Sequence, residues 1–117
     1  FGPESLMPPS YVLILMASTL CAALGQILFK AGAHNAETLV EFLNLWIMVG
    51  LFAYGVGTVL WIYVLSRTPI TVAYPFTALT FALVYLAGAL LFGEPVTIRA
   101  IAGVILILSG LFLITAP

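Results

Sequence analysis

The chain has 117 residues, of which 64% are hydrophobic and 6% are charged, and its formal net charge is -1. Ordinary soluble domains are about half apolar and about one quarter charged, so this composition excludes a typical soluble domain. Because the sequence has no basic patch that could follow phosphates, a nucleic-acid-binding protein is excluded as well.

In chain order, a short leader comes first and four apolar runs follow. The pair Gly2-Pro3 resembles a cleavage scar, so residues 1–6 are given no functional role, and a single domain is expected over 7–117. The apolar runs cover 9–30, 43–65, 70–92 and 98–115, each close to the length that crosses a bilayer as a helix. Strands of a transmembrane barrel would alternate apolar and polar residues instead. The sequence therefore predicts an all-α integral membrane protein with four transmembrane helices and short connections.

The first run carries a stripe of small and polar residues on one helical face. These residues are Ser18, Ala22, Gly25, Gln26, Phe29 and Lys30. Small residues allow close approach, and polar residues within a span usually face protein or water. We therefore predict that another helix or a ligand approaches this face, and that the Gln26 amide has a partner there. The alternative for Lys30 is that its long side chain only lifts the ammonium to the membrane surface.

The second and third runs carry comparable faces. In the second run the shared face holds Tyr54, Gly57, Thr58 and Trp61, and in the third it holds Tyr74, Thr77, Ala78, Phe81 and Tyr85. Trp61 suits either a site or the interfacial aromatic belt. Pro75 predicts a kink because proline cannot donate the helical hydrogen bond, the alternative being a proline at a helix start.

The fourth run follows a tight turn that contains Glu94. Glu94 is interpreted either as solvated or as paired with Arg99, about one turn further on. Within the run, Gly103, Ile107 and Gly110 form a narrow stripe. Such a stripe predicts a helix–helix contact, within the chain or between subunits.

No constellation of residues points to catalysis. The chain has one histidine, one cysteine and no aspartate, so neither a nucleophile–base pair nor a metal site is expected. We therefore predict that the protein is not an enzyme and uses no metal or cofactor.

Several short motifs together resemble a known family. The pairs Tyr74-Pro75, preceded by Ala73, and Glu94-Pro95 occur in order, and the first run contains Gly25-Gln26. They resemble the drug/metabolite transporter superfamily (EamA-like). More narrowly, they are similar to the small four-span subunits of the 4-amino-4-deoxy-L-arabinose-phosphoundecaprenol flippase.

This resemblance implies a multi-pass protein of the bacterial inner membrane that translocates an undecaprenyl-phosphate-linked sugar, such as aminoarabinose destined for lipid A. Related transporters have about twice as many spans, so the resemblance also implies a dimer with a second small subunit, identical or different. For an anionic lipid cargo we assign Lys30 to the phosphate, Gln26 and Tyr74 to polar contacts, and Trp61 to the sugar or the isoprenoid.

Two other functions stay open, and so does the orientation. Small multidrug resistance exporters have the same size but use a membrane-embedded glutamate, and the residue aligned with it here is Ala22. A purely structural membrane subunit is the third hypothesis. Arg67 lies on one side of the predicted bundle, whereas Lys30 and Arg99 lie on the other, so basic residues do not decide which end is cytoplasmic.

Overall fold

The computed structural model describes residues 9–34 and 36–115, and helices are the regular elements of this part of the chain. The α-helices are α1 (Pro9–Ala33), α2 (Leu45–Leu65), α3 (Ile70–Ala73), α4 (Thr77–Leu91) and α5 (Ile98–Thr115), with 3-10 turns at Val40–Phe42 and Tyr74–Phe76. The predicted all-α architecture is confirmed. The predicted leader and the start of the domain at Met7 lie outside the described residues.

Three helical stretches are long and apolar enough to cross a membrane. They are Pro9–Ala33, Leu45–Leu65 and Ile70–Leu91, and a shorter apolar helix covers Ile98–Ile114. These are four candidate spans, as predicted, and the largest difference from the predicted bounds is at the end of the first span, where α1 continues past residue 30 to Ala33. The protein is a multi-pass membrane protein.

Asn44 joins the end of α1 to the start of α2. Its side-chain oxygen accepts a hydrogen bond from the Ile47 amide at 3.1 Å, which caps the first turn of α2. Its side-chain amide donates to the carbonyls of Gly32, at 2.9 Å, and Glu41, at 2.8 Å. One side chain thus satisfies backbone groups of two helices and of the connecting loop.

The third span is interrupted at Pro75. α3 runs from Ile70 to Ala73, the 3-10 turn takes Tyr74–Phe76, and α4 begins at Thr77. Proline lacks the amide hydrogen that would continue the α-helical ladder, so the hydrogen-bonding pattern changes at this residue. The change in helix type lies within the span, after a first helical turn, and the predicted kink at Pro75 stays a prediction.

Glycines bring the backbones of α1 and α2 into close contact. A Cβ atom added to Gly25 would lie 2.9 Å from the Cβ of Tyr54, and one added to Gly57 would lie 3.0 Å from the Ser18 carbonyl oxygen. The Ser18 hydroxyl donates to the Gly57 carbonyl at 2.8 Å across the same crossing. Small residues and interhelical hydrogen bonds are what joins helices in lipid, so this crossing is the main packing interface of the chain.

The molecule is thin, and its core is small. The principal extents are 52 × 35 × 18 Å, so the thinnest dimension is less than two helix diameters of about 10–12 Å. Leu15, Val64 and Ala73 form the buried core, at the end of the bundle where the first span begins.

Helix α5 packs little against the rest of the described chain. No atom outside the local helix lies within 4 Å of a Cβ placed on Gly103 or Gly110. The predicted contact through these glycines is therefore not formed within the part of the chain that the structure describes. The alternative of a contact between subunits stays a prediction.

Candidate functional site

A cavity of about 350 Å³ lies between α1, α2 and the third span. It is lined by Ser18, Thr19, Ala22, Gln26, Tyr54, Gly57, Thr58, Trp61, Tyr74, Thr77 and Thr80. The lining combines small residues, hydroxyl groups and aromatic rings, and none of it is charged. Such a surface suits an uncharged polar group or an apolar chain better than an ion.

Most hydroxyl groups around the cavity already donate to backbone carbonyls. Thr58 donates to the Tyr54 carbonyl at 2.9 Å, and Thr77 donates to the Tyr74 carbonyl at 2.8 Å. Ser18 bonds across the helix crossing, as described above. These donors support the helices, and their remaining lone pairs can accept from a ligand.

Gln26 differs from these hydroxyl residues. Its side chain is exposed and has no hydrogen-bond partner in the described part of the chain. An amide offers both a donor and an acceptor, so Gln26 is the lining residue best able to bind a hydroxyl or a phosphate oxygen.

Two aromatic side chains form the end of the cavity nearest the small core. The rings of Trp61 and Tyr74 meet edge to face, with centroids 6.3 Å apart and an interplanar angle of 65°. Trp61 is partly buried against Leu15, Val64 and Ala73, whereas Tyr74 is 59% exposed. A ring fixed by the core and a more exposed phenol provide an apolar face and a hydroxyl side by side.

Ala22 contributes a methyl group to the cavity. A glutamate at this position, as in an exporter that exchanges protons for cations, would introduce a carboxylate among the uncharged lining residues. Within the described residues, no group of three or more histidine, cysteine, aspartate or glutamate residues is placed to hold a metal ion.

Lys30 lies one helical turn, about 6 Å, beyond Gln26 on the same face of α1. Its ammonium is 3.6 Å from a carboxylate oxygen of Glu94, and the two side chains are 49% and 51% exposed. A half-exposed pair at this distance contributes about 0–1 kcal/mol and can exchange partners. The exposure also fits the alternative that Lys30 reaches toward the membrane surface.

The turn after α4 directs Glu94 toward Lys30. Gly93 has a φ of 64°, and the Glu94 amide donates to the Gly88 carbonyl at 3.2 Å. A Cβ on Gly88 would lie 2.6 Å from a carboxylate oxygen of Glu94. The absence of a side chain at Gly88 therefore lets the carboxylate fold back over α4.

Glu94 also lines a second, smaller cavity of about 250 Å³ between α4 and the turn. The other lining residues are Phe81, Val84, Tyr85, Ala89, Pro95 and Val96. The rings of Phe81 and Tyr85 stack with centroids 6.4 Å apart. This cavity therefore combines one carboxylate with aromatic and apolar surface.

The structure brings some of the predicted site residues together and separates others. Gln26, Trp61 and Tyr74 line one cavity, with Pro75 adjacent to Tyr74, while Lys30 is outside the lining. Glu94 forms its ion pair with Lys30; among the described residues it forms none with Arg99, the predicted partner.

The faces predicted from helical spacing overlap with the cavity lining to different extents. All four residues of the second-span face line it, as do three from the first span and two from the third. Thr19 and Thr80 were missed, and the Thr80 hydroxyl donates to the Thr19 carbonyl at 3.4 Å. Each is adjacent in sequence to a residue of a predicted face. They line the cavity because of how α1 and α4 are rotated about their axes where they pack together, which helical spacing alone does not give.

Several curated proteins are similar to this chain over nearly their whole length. The probable 4-amino-4-deoxy-L-arabinose-phosphoundecaprenol flippase subunit ArnE of Enterobacter sp. (strain 638) is 36% identical over 105 residues, which is 90% of this chain and 95% of that protein. The ArnE protein of Yersinia pestis (strain Pestoides F) is 37% identical over 110 residues, or 91% and 96%. That of Pseudomonas fluorescens (strain Pf0-1) is 32% identical over 106 residues, or 86% and 93%.

No solved structure matches the chain. The profile of the EamA-like transporter family matches residues 4–116, which is nearly the entire sequence. The four apolar helices are consistent with this match. The chain belongs to the EamA-like transporter family.

Proposed function

We propose that this chain is a flippase subunit that translocates undecaprenyl-phosphate-linked aminoarabinose across the bacterial inner membrane, for modification of lipid A. The proposal draws on the similarity to flippase subunits over 90% of the chain. It draws equally on the chemistry of the site, which suits a cargo with an anionic phosphate, a polar sugar and an apolar chain.

The observation that carries the proposal is an uncharged cavity with a single lysine one turn away. The Lys30 ammonium is the cation nearest to Gln26 on this face of α1, and a phosphate is its natural partner. Gln26 and Tyr74 can bond to sugar hydroxyls or phosphate oxygens. Trp61 offers a flat apolar surface to the sugar or to the first isoprene units.

A cation exporter fits the same cavity poorly. Such a protein needs an acidic group that binds either a proton or the cationic drug, and the cavity lining has none. Moving a cation into an uncharged site that is partly enclosed by apolar helices carries a desolvation cost without a compensating charge. We therefore favour a cargo whose uncharged parts occupy this cavity while its phosphate lies outside it, at the Lys30 ammonium.

The same reasoning supports a non-enzymatic role and an assembly of at least two subunits. Transport of a lipid needs binding and release, not bond cleavage. The chain is only 18 Å thick in one direction, so one copy leaves the cargo exposed to lipid. We propose that a second small subunit, identical or related, encloses the cargo from the other side.

Binding of undecaprenyl phosphate to the purified chain tests this function. Native mass spectrometry of the protein in detergent is expected to show one bound lipid. Lys30→Ala is expected to weaken binding about tenfold or more, because a charge-assisted hydrogen bond contributes about 1.5–3 kcal/mol. Arg99→Ala, on the same side of the bundle, is the matched control and should bind as wild type. Absence of lipid binding by the wild-type protein would contradict the proposal.

A further inference from the structure

The ion pair between Lys30 and Glu94 matches the two charges of an amino-sugar phosphate. The relatives' name specifies a phosphate and a 4-amino group on the same sugar, so the headgroup is a zwitterion when its amine is protonated. We propose that Glu94 binds the ammonium group of the cargo while Lys30 binds its phosphate. This inference rests on the proposed function and adds the residue that recognises the amine.

A ligand can displace the contact between Lys30 and Glu94. The contact is long, at 3.6 Å, and both side chains are about half exposed, so the pair is weak and accessible. A zwitterionic ligand can replace it without leaving a charge unpaired. Lys30 exchanges a carboxylate for a phosphate, and Glu94 exchanges one ammonium for another.

The cavity beside Glu94 can accommodate an amino sugar. Glu94 lines the smaller cavity together with Phe81 and Tyr85, whose rings stack. Aromatic faces attract ammonium groups and also pack against sugar C–H groups. At about 250 Å³, the cavity is below the range of about 300–1,000 Å³ typical of pockets for drug-sized ligands, so it suits a group about the size of one sugar ring.

The backbone holds the carboxylate in this place. Gly88 leaves room for the Glu94 carboxylate against α4, and the Glu94 amide is fixed to the Gly88 carbonyl at 3.2 Å. The side chain is therefore directed over α4 toward Lys30 instead of extending into the loop. A carboxylate that served only solubility would not need this opening in the helix.

Three lipids separate the contributions of phosphate and amine. They are undecaprenyl phosphate, the aminoarabinose-linked lipid, and the same lipid with its amine acetylated, which removes the positive charge. Affinities for the full-length protein in detergent are compared for wild type, Glu94→Gln, Lys30→Gln and, as the control, Arg99→Gln. Thermal unfolding of each variant checks that the fold is retained.

Wild type is expected to bind the free-amine lipid about tenfold more tightly than the acetylated lipid. Glu94→Gln should lose this preference and bind undecaprenyl phosphate at least as well as wild type, because Lys30 is released from its partner. Lys30→Gln should weaken binding of all three lipids, and Arg99→Gln should change none.

The possible failures are distinct. If wild type binds none of the three lipids, the proposed function is overturned, and this inference with it. If wild type binds both sugar lipids equally, or if Glu94→Gln keeps the preference for the free amine, the role of Glu94 is overturned while the proposed function stands.

Discussion

Replacing Gly57 by alanine tests the α1–α2 crossing that supports the cavity. The new Cβ would lie 3.0 Å from the Ser18 carbonyl oxygen, 3.1 Å from the Cys21 Cβ and 3.2 Å from the Ala22 nitrogen. Heavy atoms pack best at about 3.5–4.0 Å. All three neighbours belong to the backbone of α1 or are attached directly to it, so the helix itself must move away.

The magnitude follows from a comparison with Gly55 on the same helix. Overpacking of this kind costs about 1–3 kcal/mol, whereas exchanging glycine for alanine in a helix gains about 0.5–1 kcal/mol. At Gly55 an added Cβ meets no atom within 4 Å, so Gly55→Ala should show only the gain. The gain in helix propensity is the same in both variants, so their free energies of unfolding should differ only by the cost of overpacking, about 1–3 kcal/mol.

The free energy of unfolding in mixed micelles is the quantity to measure for both variants. Gly57→Ala should be the less stable, and it should also bind undecaprenyl phosphate less tightly, because Gly57 lines the cavity. Equal stability of Gly57→Ala and Gly55→Ala would refute the close approach of the two helices at this crossing.

Three further predictions concern the loop and the cavity. Asn44→Ala should lower the free energy of unfolding by at least about 0.5–2 kcal/mol, because it removes the cap of α2 and also the hydrogen bonds that the amide donates to the Gly32 and Glu41 carbonyls. Asn44→Ser loses the same two donated bonds but keeps an oxygen that can cap the helix, so it should lose less; equal losses in denaturation experiments would contradict a capping role. Hydrogen bonds from the amides of Glu37 and Thr38 hold the pKa of Glu41 below its ordinary value of 4.5. The stability that this carboxylate provides should therefore be complete above pH 4.5 and should be lost as the pH falls through the lowered pKa. NMR titration of the Glu37 and Thr38 amides would follow this loss. Amide shifts that do not change when Glu41 is protonated would contradict these two hydrogen bonds. Ala22→Glu should introduce binding of a quaternary ammonium compound, measured by calorimetry, and no gain in binding would show that this position does not select the charge of the cargo.

Much of the fold could be predicted from hydropathy alone. A helix in lipid must satisfy its own backbone hydrogen bonds and remain apolar over about 20 residues. The approximate ends of each span can therefore be predicted from where the apolar runs in the sequence begin and end. The second-span face from Tyr54 to Trp61 was also predictable, since residues three or four apart share a helical side. That entire face lines the cavity.

The partner of Glu94 could not be predicted in the same way. Arg99 is near in sequence, but Lys30 is brought close only by the packing of α1 against the third span. The opening at Gly88 that accommodates the carboxylate depends equally on the turn at Gly93. Contacts between distant segments follow from helix rotation, which hydropathy does not determine.

In the proposed function, the chain moves a phosphate-bearing lipid with the help of Lys30. Translocation of aminoarabinose-phosphoundecaprenol in inner-membrane vesicles tests it most directly, with each variant replacing the cell's own copy of the chain. We expect Lys30→Ala and Lys30→Glu to abolish translocation while the protein still inserts, and Arg99→Ala to behave as wild type. Translocation at the wild-type rate in both Lys30 variants would contradict it.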